Sequence, residues 1–486
     1  MLSTDTDLAF QSASALTARL RAREISSCDL LRHYRARIER FNPAVNAVVT
    51  LDERALEQAA AADAALARGE SWGPLHGLPI TIKDSLETAG LRTTAGAPEY
   101  AAHIPTRDAE AVARLRAAGA IVFGKTNLPA YAADCQTFNP IFGTTRNPWN
   151  LERAVGGSSG GAAAAVAAGL TGLDLGSDLG GSIRNPAGYC GVYGLRPSYG
   201  LIPTRGHVPG PPGSLVELDM ATVGPLARGA ADLGLALDVL AGPDAAHSAA
   251  WRLDLPPPRA GGLHGCRCAI WLDDEYCPVD AEVLRVLSSV VDTLEHTGAR
   301  LAEARPCSLR EAERLAQRLI QAVFSGAYPA EEYERLRILA ETAEVDDDSP
   351  PVRHARNVTV RSRDLSIALE VREQLAARCA TFFTEYDVLL CPITPTTAIP
   401  HDHQPDVDAR RIIVNGISRP YGDQIPWASL PGVCGLPAVV VPAGLALDGL
   451  PVGLQVIGPF LADRTVIDVA GYIGELVGGF VPPPGY

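Results

Sequence analysis

Apolar residues recur at helical spacing early in the chain: Leu31, Tyr34, Ile38 and Phe41 stand three and four apart, with Ser27 placed to cap the helix they predict. The first seventy residues read as helical throughout. The first strand signal is the short apolar run Leu78-Pro79-Ile80-Thr81-Ile82-Lys83. A helix over 109–118 stops at Gly119, and Ala120-Ile121-Val122-Phe123 follows as a strand. Strand, helix and strand in alternation predict an α/β fold.

Beyond residue 245 the pattern breaks into Ala, Asp, Pro and Gly around Leu255–Gly262, a connecting loop. A strand is predicted at Cys268–Leu272, then an amphipathic helix through Val279, Val283, Leu287, Val290 and Leu294. The stretch 305–385 reads as mostly helical, interrupted by the acidic turn Asp346–Pro351, which predicts a solvated loop. Strand character returns at Val388–Cys391, Ala438–Val441 and Val452–Ile457, and a last helix is expected over Arg464–Leu476. These late strands are expected to complete the same sheet.

At 486 residues, with 47% apolar and 20% charged residues, the composition is that of an ordinary soluble protein with material for a large core. No repeat period is visible. The net charge of −14 argues against nucleic acid as a partner. The start carries Asp5, Asp7 and a charged stretch from Arg19 to Glu24, unlike a signal peptide. The longest uncharged apolar run, Ala162–Leu170, is far shorter than the roughly 20 residues of a membrane span. No membrane association and a cytoplasmic location are therefore expected. The ten cysteines contain no CxxC pair and the ten histidines no HExxH. Cys266 and Cys268 read as reduced thiols, and His401 and His403 as loop residues. Neither a metal nor a cofactor is expected.

Three motifs compete for the chemistry. Gly119-x4-Gly124-Lys125-Thr126 fits the phosphate-loop pattern, but its four variable residues are Ala-Ile-Val-Phe, a strand where a loop is required. The segment Gly156-Gly157-Ser158-Ser159-Gly160 fits the hydrolase nucleophile elbow. That elbow follows a buried strand, whereas Asn147–Arg153 is polar and loop-like. An elbow also needs a downstream histidine; His207, in Arg205–Gly210, is the best placed and reads better as a loop residue.

The third pattern is the longest. Gly156-Gly157-Ser158-Ser159-Gly160-Gly161 is followed by an alanine-rich segment and by Asp178-Leu179-Gly180-Gly181-Ser182-Ile183-Arg184-Asn185-Pro186, with Lys83-Asp84 ending an apolar strand upstream. This block resembles the amidase signature family, down to the 24 residues between Ser158 and Ser182. Further resemblance lies at Gly124–Asn127, Phe142-Gly143, Asn147–Trp149, Gly435–Ala438 and Gly449–Gln455, and spans roughly residues 8–245 and 385–475. The resemblance implies one large α/β domain, a central mixed β-sheet covered by helices on both faces. Within it, 1–70 would be N-terminal helices, 71–245 the catalytic core, 246–385 a variable, mostly helical segment on the substrate side, and 386–486 the strands and helix completing the core.

The resemblance also implies the site residues. Ser182 would be the nucleophile, Ser158 a bridging serine in a cis peptide, and Lys83 the base. The backbone N–H groups of Leu179, Gly180, Gly181 and Ser182 would bind the oxyanion. Ser159, Asp178 and Arg184 would support them, Ser159 as a helix N-cap or as a hydrogen-bond partner of the relay. Asp178 and Arg184 read either as a surface pair or as buried braces. Gln136, Phe138, Ile425 and Trp427 are expected to wall the acyl pocket, though each would serve equally as core packing. A free lysine is protonated at neutral pH, so the base must be buried, which lowers its pKa. Asp84, next on the strand, is expected to face the opposite side.

The implied activity is hydrolysis of a carboxylic amide through an acyl-enzyme, with a small-molecule amide as partner and a homodimer left open. Two alternatives share the triad: the glutamine-hydrolysing component of an amidotransferase, and an acyl-transferring, amide-forming enzyme. A non-catalytic binding scaffold fits poorly with retention of all three polar residues.

Overall fold

In a computed structural model of the chain, residues 8–208, 211–259 and 261–486 are described. The opening residues read against a signal peptide, and Pro209, Gly210 and Ala260 of two expected loops, lie outside them. Among the described residues eleven strands make one sheet. In chain order they are β1 Val48–Leu51, β2 Pro79–Lys83, β3 Ile121–Thr126, β4 Leu173–Asp178, β5 Tyr193–Arg196, β6 Thr222–Ala227, β7 Arg267–Ile270, β8 Arg300–Glu303, β9 Val388–Pro392, β10 Ala438–Leu445 and β11 Pro451–Ile457. Across the sheet they run β1-β3-β2-β4-β6-β5-β10-β11-β9-β7-β8. β2 pairs in parallel with β3 and β4, and β7 with β8 and β9, while the other pairings are antiparallel. The sheet is therefore mixed, and the late strands do complete it. β1 corrects the expectation of helices alone over 1–70, and β8 adds a second strand to the 246–385 segment beside the expected β7; neither had a long apolar run to announce it.

The helices flank the sheet: α1 Ala13–Arg21, α2 Ser27–Val45, α3 Ala55–Ala67, α4 Glu110–Ala117, α5 Gly160–Ala167, α6 Arg184–Cys190 and α7 Ala230–Leu240 in the first half. The second half adds α8 Ala281–Glu295, α9 Leu309–Phe324, α10 Ala330–Thr342, α11 Pro350–Val358, α12 Ser362–Glu385, α13 Pro426–Val433 and α14 Asp463–Val477. Caps move three expected boundaries. Ser26, not Ser27, caps α2 by accepting from Asp29 N, while Ser27 is the first helical residue and its N–H donates to Asp63 at 2.7 Å. Asp280 caps α8, so Val279 stands outside it, buried, its N–H bonded to Asp273. Pro350 and Pro351 belong to the first turn of α11, where a missing N–H costs nothing; the solvated turn ends before them.

Two features of this frame position the site. β2 and β4 are parallel neighbours, so their last residues, Lys83 and Asp178, emerge at one sheet edge. The carboxyl ends of parallel strands are where α/β sheets bind ligands. α5, which is Gly, Ala and Val throughout, is buried on every side. It fits because it starts with glycine: a Cβ on Gly161 would stand 2.3 Å from Asn127 N and 2.5 Å from Asn127 O.

Candidate active site

Lys83 ends β2 fully buried. Its Nζ is surrounded by three hydroxyls: Ser158 Oγ at 2.7 Å, Ser159 Oγ at 3.0 Å and Ser177 Oγ at 3.0 Å. Burial pushes its pKa down to about 7, against the upward pull of Asp178 and Asp174. A lysine held there exists in both forms at neutral pH, which is what proton transfer needs. Asp84 turns away from it. Its Oδ2 accepts from Thr94 N at 3.0 Å and Thr94 Oγ1 at 2.5 Å, and burial pushes its carboxyl up to about 6.

The segment that brings Ser158 to the lysine runs from Gly156 into α5. Its Gly157–Ser158 peptide is cis. Ser159 occupies the N-cap position of α5 but makes no side-chain cap bond. Its hydroxyl donates instead to Ser177 O at 3.2 Å and lies against Lys83, so of its two expected roles the side chain takes the second. Ser159 N donates to Ser182 O at 2.9 Å, which fastens the two glycine-rich segments together.

Ser182 sits in the loop between β4 and α6, half-buried, so it is open to a ligand. The loop folds around one carboxylate. Asp178 Oδ1 accepts from Gly181 N at 3.0 Å and Arg184 Nη2 at 2.8 Å, and Oδ2 from Ile183 N and Arg184 Nε, each at 3.0 Å. Arg196 Nη1 adds a contact at 3.3 Å. Asp178, Arg184 and Arg196 are buried braces, not a surface pair. Burial pushes Asp178 up, but the two guanidiniums and the backbone donors overrule it and hold the acid well below the carboxylate range. Gly181, at φ +107, turns its N–H inward. That corrects one expectation: of the four N–H groups expected at the oxyanion, the Gly181 donor is engaged by Asp178.

The four expected pocket residues divide. Trp427 is 2% exposed, meets Trp271 edge-on with centroids 5.3 Å apart, and donates from Nε1 to Cys277 O. It is core. Gln136 is also buried, with both ends of its amide bonded to the Asp402 backbone, and Nε2 additionally 3.2 Å from Tyr421 OH. It ties down a loop. Phe138 is half-buried against His403, with centroids 4.2 Å apart, and Ile425 is half-buried before α13. Nearer the loop, Ile320 Cδ1 of α9 would lie 3.6 Å from a Cβ on Gly180, and Ala428 Cβ of α13 2.8 Å from one on Gly181.

Sequence reading missed Ser177 and, though His207 does lie in a loop as expected, missed what that histidine contacts. His207 Nε2 lies 2.8 Å from Ser177 Oγ and 3.1 Å from Ser85 Oγ. A hydroxyl immediately before Asp178 was visible in the sequence, but the pairing of β2 with β4 that carries it to Lys83 was not. Lys125 of the phosphate-loop match is buried in β3, its Nζ held by Leu86 O, Thr88 Oγ1 and Thr93 Oγ1, so it is no phosphate ligand. Among the described residues no group of three His, Cys, Asp or Glu could hold a metal, and no helix is long and apolar enough to cross a membrane.

Known proteins with this chain's pattern place it. The family model described as Amidase matches residues 29–467. The Glu-tRNA(Gln) amidotransferase subunit of Heliobacterium modesticaldum is 34% identical over 482 residues, 94% of each chain, and that of Thermus thermophilus 34% identical over 479 residues, 94% of this chain and 95% of its own. Among solved structures, a bacterial aryl acylamidase of the amidase signature family superposes with a TM-score of 0.80 at 27% identity, over 96% of both chains. The corresponding amidotransferase subunit of Thermotoga maritima does so at 0.78 and 26%, over 98% of both. The chain belongs to the amidase signature family, whose enzymes act on amide C–N bonds.

Proposed function

We propose that this chain hydrolyses a small carboxamide to its acid and ammonia or amine through an acyl-enzyme on Ser182. The observation that carries the reading is the 2.7 Å contact between buried Lys83 Nζ and Ser158 Oγ, beside a loop whose Asp178 clamp presents Ser182. Neutral Lys83 takes a proton from Ser158, which takes one from Ser182, and Ser182 Oγ bonds to the amide carbon. The oxyanion is met by the N–H groups of Leu179, Gly180 and Ser182; one such donor is typically worth about 3 kcal/mol. As the C–N bond breaks, the proton returns through Ser158 to the leaving nitrogen. Water then attacks the ester, its proton follows the same relay, and Ser182 regains its own.

The second reading, glutamine as the amide donor in an amidotransferase assembly, is favoured by the amidotransferase relatives. Against it, Ile320 and Ala428 set two apolar side chains beside Gly180 and Gly181, which suits an uncharged amide better than a zwitterion. The 246–385 segment, which supplies Ile320, would then select the substrate. Quenching the isolated enzyme during turnover of an anilide panel and weighing the Ser182 peptide is expected to show one acyl mass, and hydroxylamine is expected to divert product to hydroxamate. Glutamine hydrolysis by the isolated chain with no anilide turnover would transfer the case to the second reading. Absence of any acyl mass with the anilides and with glutamine alike would sink both.

The pH profile has a definite sign. The base must be neutral, so kcat/KM is expected to rise with pH through about 7 and level off above it. Asp174, whose carboxyl burial pushes up to about 7, ionises in the same window; its charge favours the Lys83 ammonium, so it broadens the rise rather than adding to it. Asp178 stays ionised throughout. A profile that falls between pH 6 and 8 would contradict a lysine base.

A further inference from the structure

We propose that His207 is a positioning residue of the relay: its Nε2 accepts the Ser177 hydroxyl proton, and by doing so aims the lone pair of Lys83 at Ser158. The inference rests on the Ser182–Ser158–Lys83 reading and deepens it.

The protons available around Lys83 Nζ can be counted. A neutral lysine has two N–H groups and one lone pair, and a serine hydroxyl has one proton to give. Three hydroxyls surround Lys83 Nζ, so two must accept from it and one must donate to it. Ser159 spends its proton on Ser177 O at 3.2 Å and faces the lysine as an acceptor. Ser177 has the same freedom as Ser158 unless something takes its proton. His207 Nε2, at 2.8 Å, takes it, and stands nearer to Ser177 than to its other neighbour, Ser85 Oγ, at 3.1 Å. Ser177 then also accepts from Lys83. Only Ser158 is left to donate, and that is the direction in which proton transfer from Ser182 must run. Were Nε2 to carry a proton instead, Ser177 would be free to occupy the lysine lone pair and compete with the relay.

The backbone holds the imidazole in place. Residues 206–208 are zipped to the chain that follows Lys83: Glu87 N donates to Gly206 O at 2.9 Å, Val208 N to Ser85 O at 2.7 Å, and Leu86 and His207 form an antiparallel bridge. His207 N also donates to Thr204 O at 3.1 Å. Burial, and then the Lys83 cation, push the His207 pKa down to about 3, in keeping with a neutral ring whose Nε2 is free to accept.

A double-mutant cycle on the full chain tests this, using His207→Phe, Ser177→Ala and the pair, with His207→Gln as the conservative variant and anilide turnover as the readout. His207→Phe is expected to lower kcat about 3- to 10-fold, the span of one orienting hydrogen bond between neutral groups, with KM nearly unchanged. In the Ser177→Ala background it is expected to do nothing more, because its only route to the lysine is gone. His207→Gln, whose amide oxygen can accept in place of Nε2, is expected to recover most of the loss. Multiplying effects in the double mutant, a loss confined to KM, or a glutamine variant no better than phenylalanine would each overturn the inference. Where His207→Phe folds poorly, His207→Gln paired with Ser177→Ala reads the same coupling. Ser182→Ala run alongside separates the two claims: if it keeps turnover, the relay itself is wrong, whereas an inactive Ser182→Ala with a multiplicative cycle removes only His207.

Discussion

Lys83→Met is expected to lower kcat at pH 8 by about 10⁴-fold or more, and Ser182→Ala by about 10⁴- to 10⁶-fold, with the residual rate owed to the oxyanion donors. Methionine matches the lysine stem in length and suits a fully buried site, so the chain is expected to fold. The hydroxyls left behind keep other partners: Ser177 has His207, and Ser159 has Ser177 O. What is lost is the proton acceptor of Ser158. No neighbour replaces it, since Asp84 is bonded to Thr94, Asp174 to Thr81 and Thr126, and His207 reaches Ser177 and Ser85 rather than Ser158. At pH 8 most of wild-type Lys83 is neutral, so the comparison is made on the plateau. Because the two residues act as one unit, Lys83→Met combined with Ser182→Ala is expected to be hardly slower than Ser182→Ala alone. Anilide turnover by stopped assay measures all three. A drop smaller than tenfold in Lys83→Met would mean another base serves the reaction.

How much of this was legible beforehand follows from what kind of information each feature needs. Helices α2 and α8 were visible because their buried residues repeat every three or four positions. Their starts were misread by one or two residues because Ser26 and Ser27 are chemically equivalent as caps, and only the chain path decides which hydroxyl meets Asp29 N. The glycine-rich block was legible because its glycines are forced by close approach, as at Gly161 against the Asn127 backbone. Strand order was not legible: nothing in 438–440 announces that β10 pairs with β5 more than 240 residues earlier. The same limit hid Ser177 and His207. Ser177 reaches Lys83, 94 residues away, through the pairing of β4, and His207 reaches Ser85, 122 residues away, through the bridge at Leu86. Gly181 shows the opposite limit, where a motif names an N–H and only the geometry shows it already engaged. Trp427 was ambiguous by nature, since a large apolar side chain serves a pocket wall and a core equally well until its burial is known.

Asp178→Asn is the substitution expected to cost the fold most, about 3–5 kcal/mol, read as a lowered urea midpoint at unchanged slope. The carboxylate is the counter-charge of Arg184 and Arg196, whose side chains are 0% exposed. An asparagine fills the same space but leaves two buried guanidiniums against neutral partners. Arg184 keeps Ala428 O and Gln455 Oε1, and Arg196 keeps Met220 O, yet carbonyl oxygens do not cancel a full charge. Asp178→Asn with Arg184→Met is therefore expected to lose less than the sum of the two single changes, since the second removes one charge the first exposes. The pH dependence carries a matching sign. Asp178 titrates lower in the folded chain than in the unfolded one, so its contribution is complete above the unfolded value of about 3.9 and fades as pH falls below it. The gap between wild type and Asp178→Asn is thus expected to stay constant from pH 6 to 8 and to narrow only in acid. Activity should fall with stability, because an amide offers one acceptor oxygen where the carboxylate offers two to Gly181 N and Ile183 N, on either side of Ser182. A variant as stable as wild type at pH 7 would show that the loop around Ser182 is held by something other than this carboxylate.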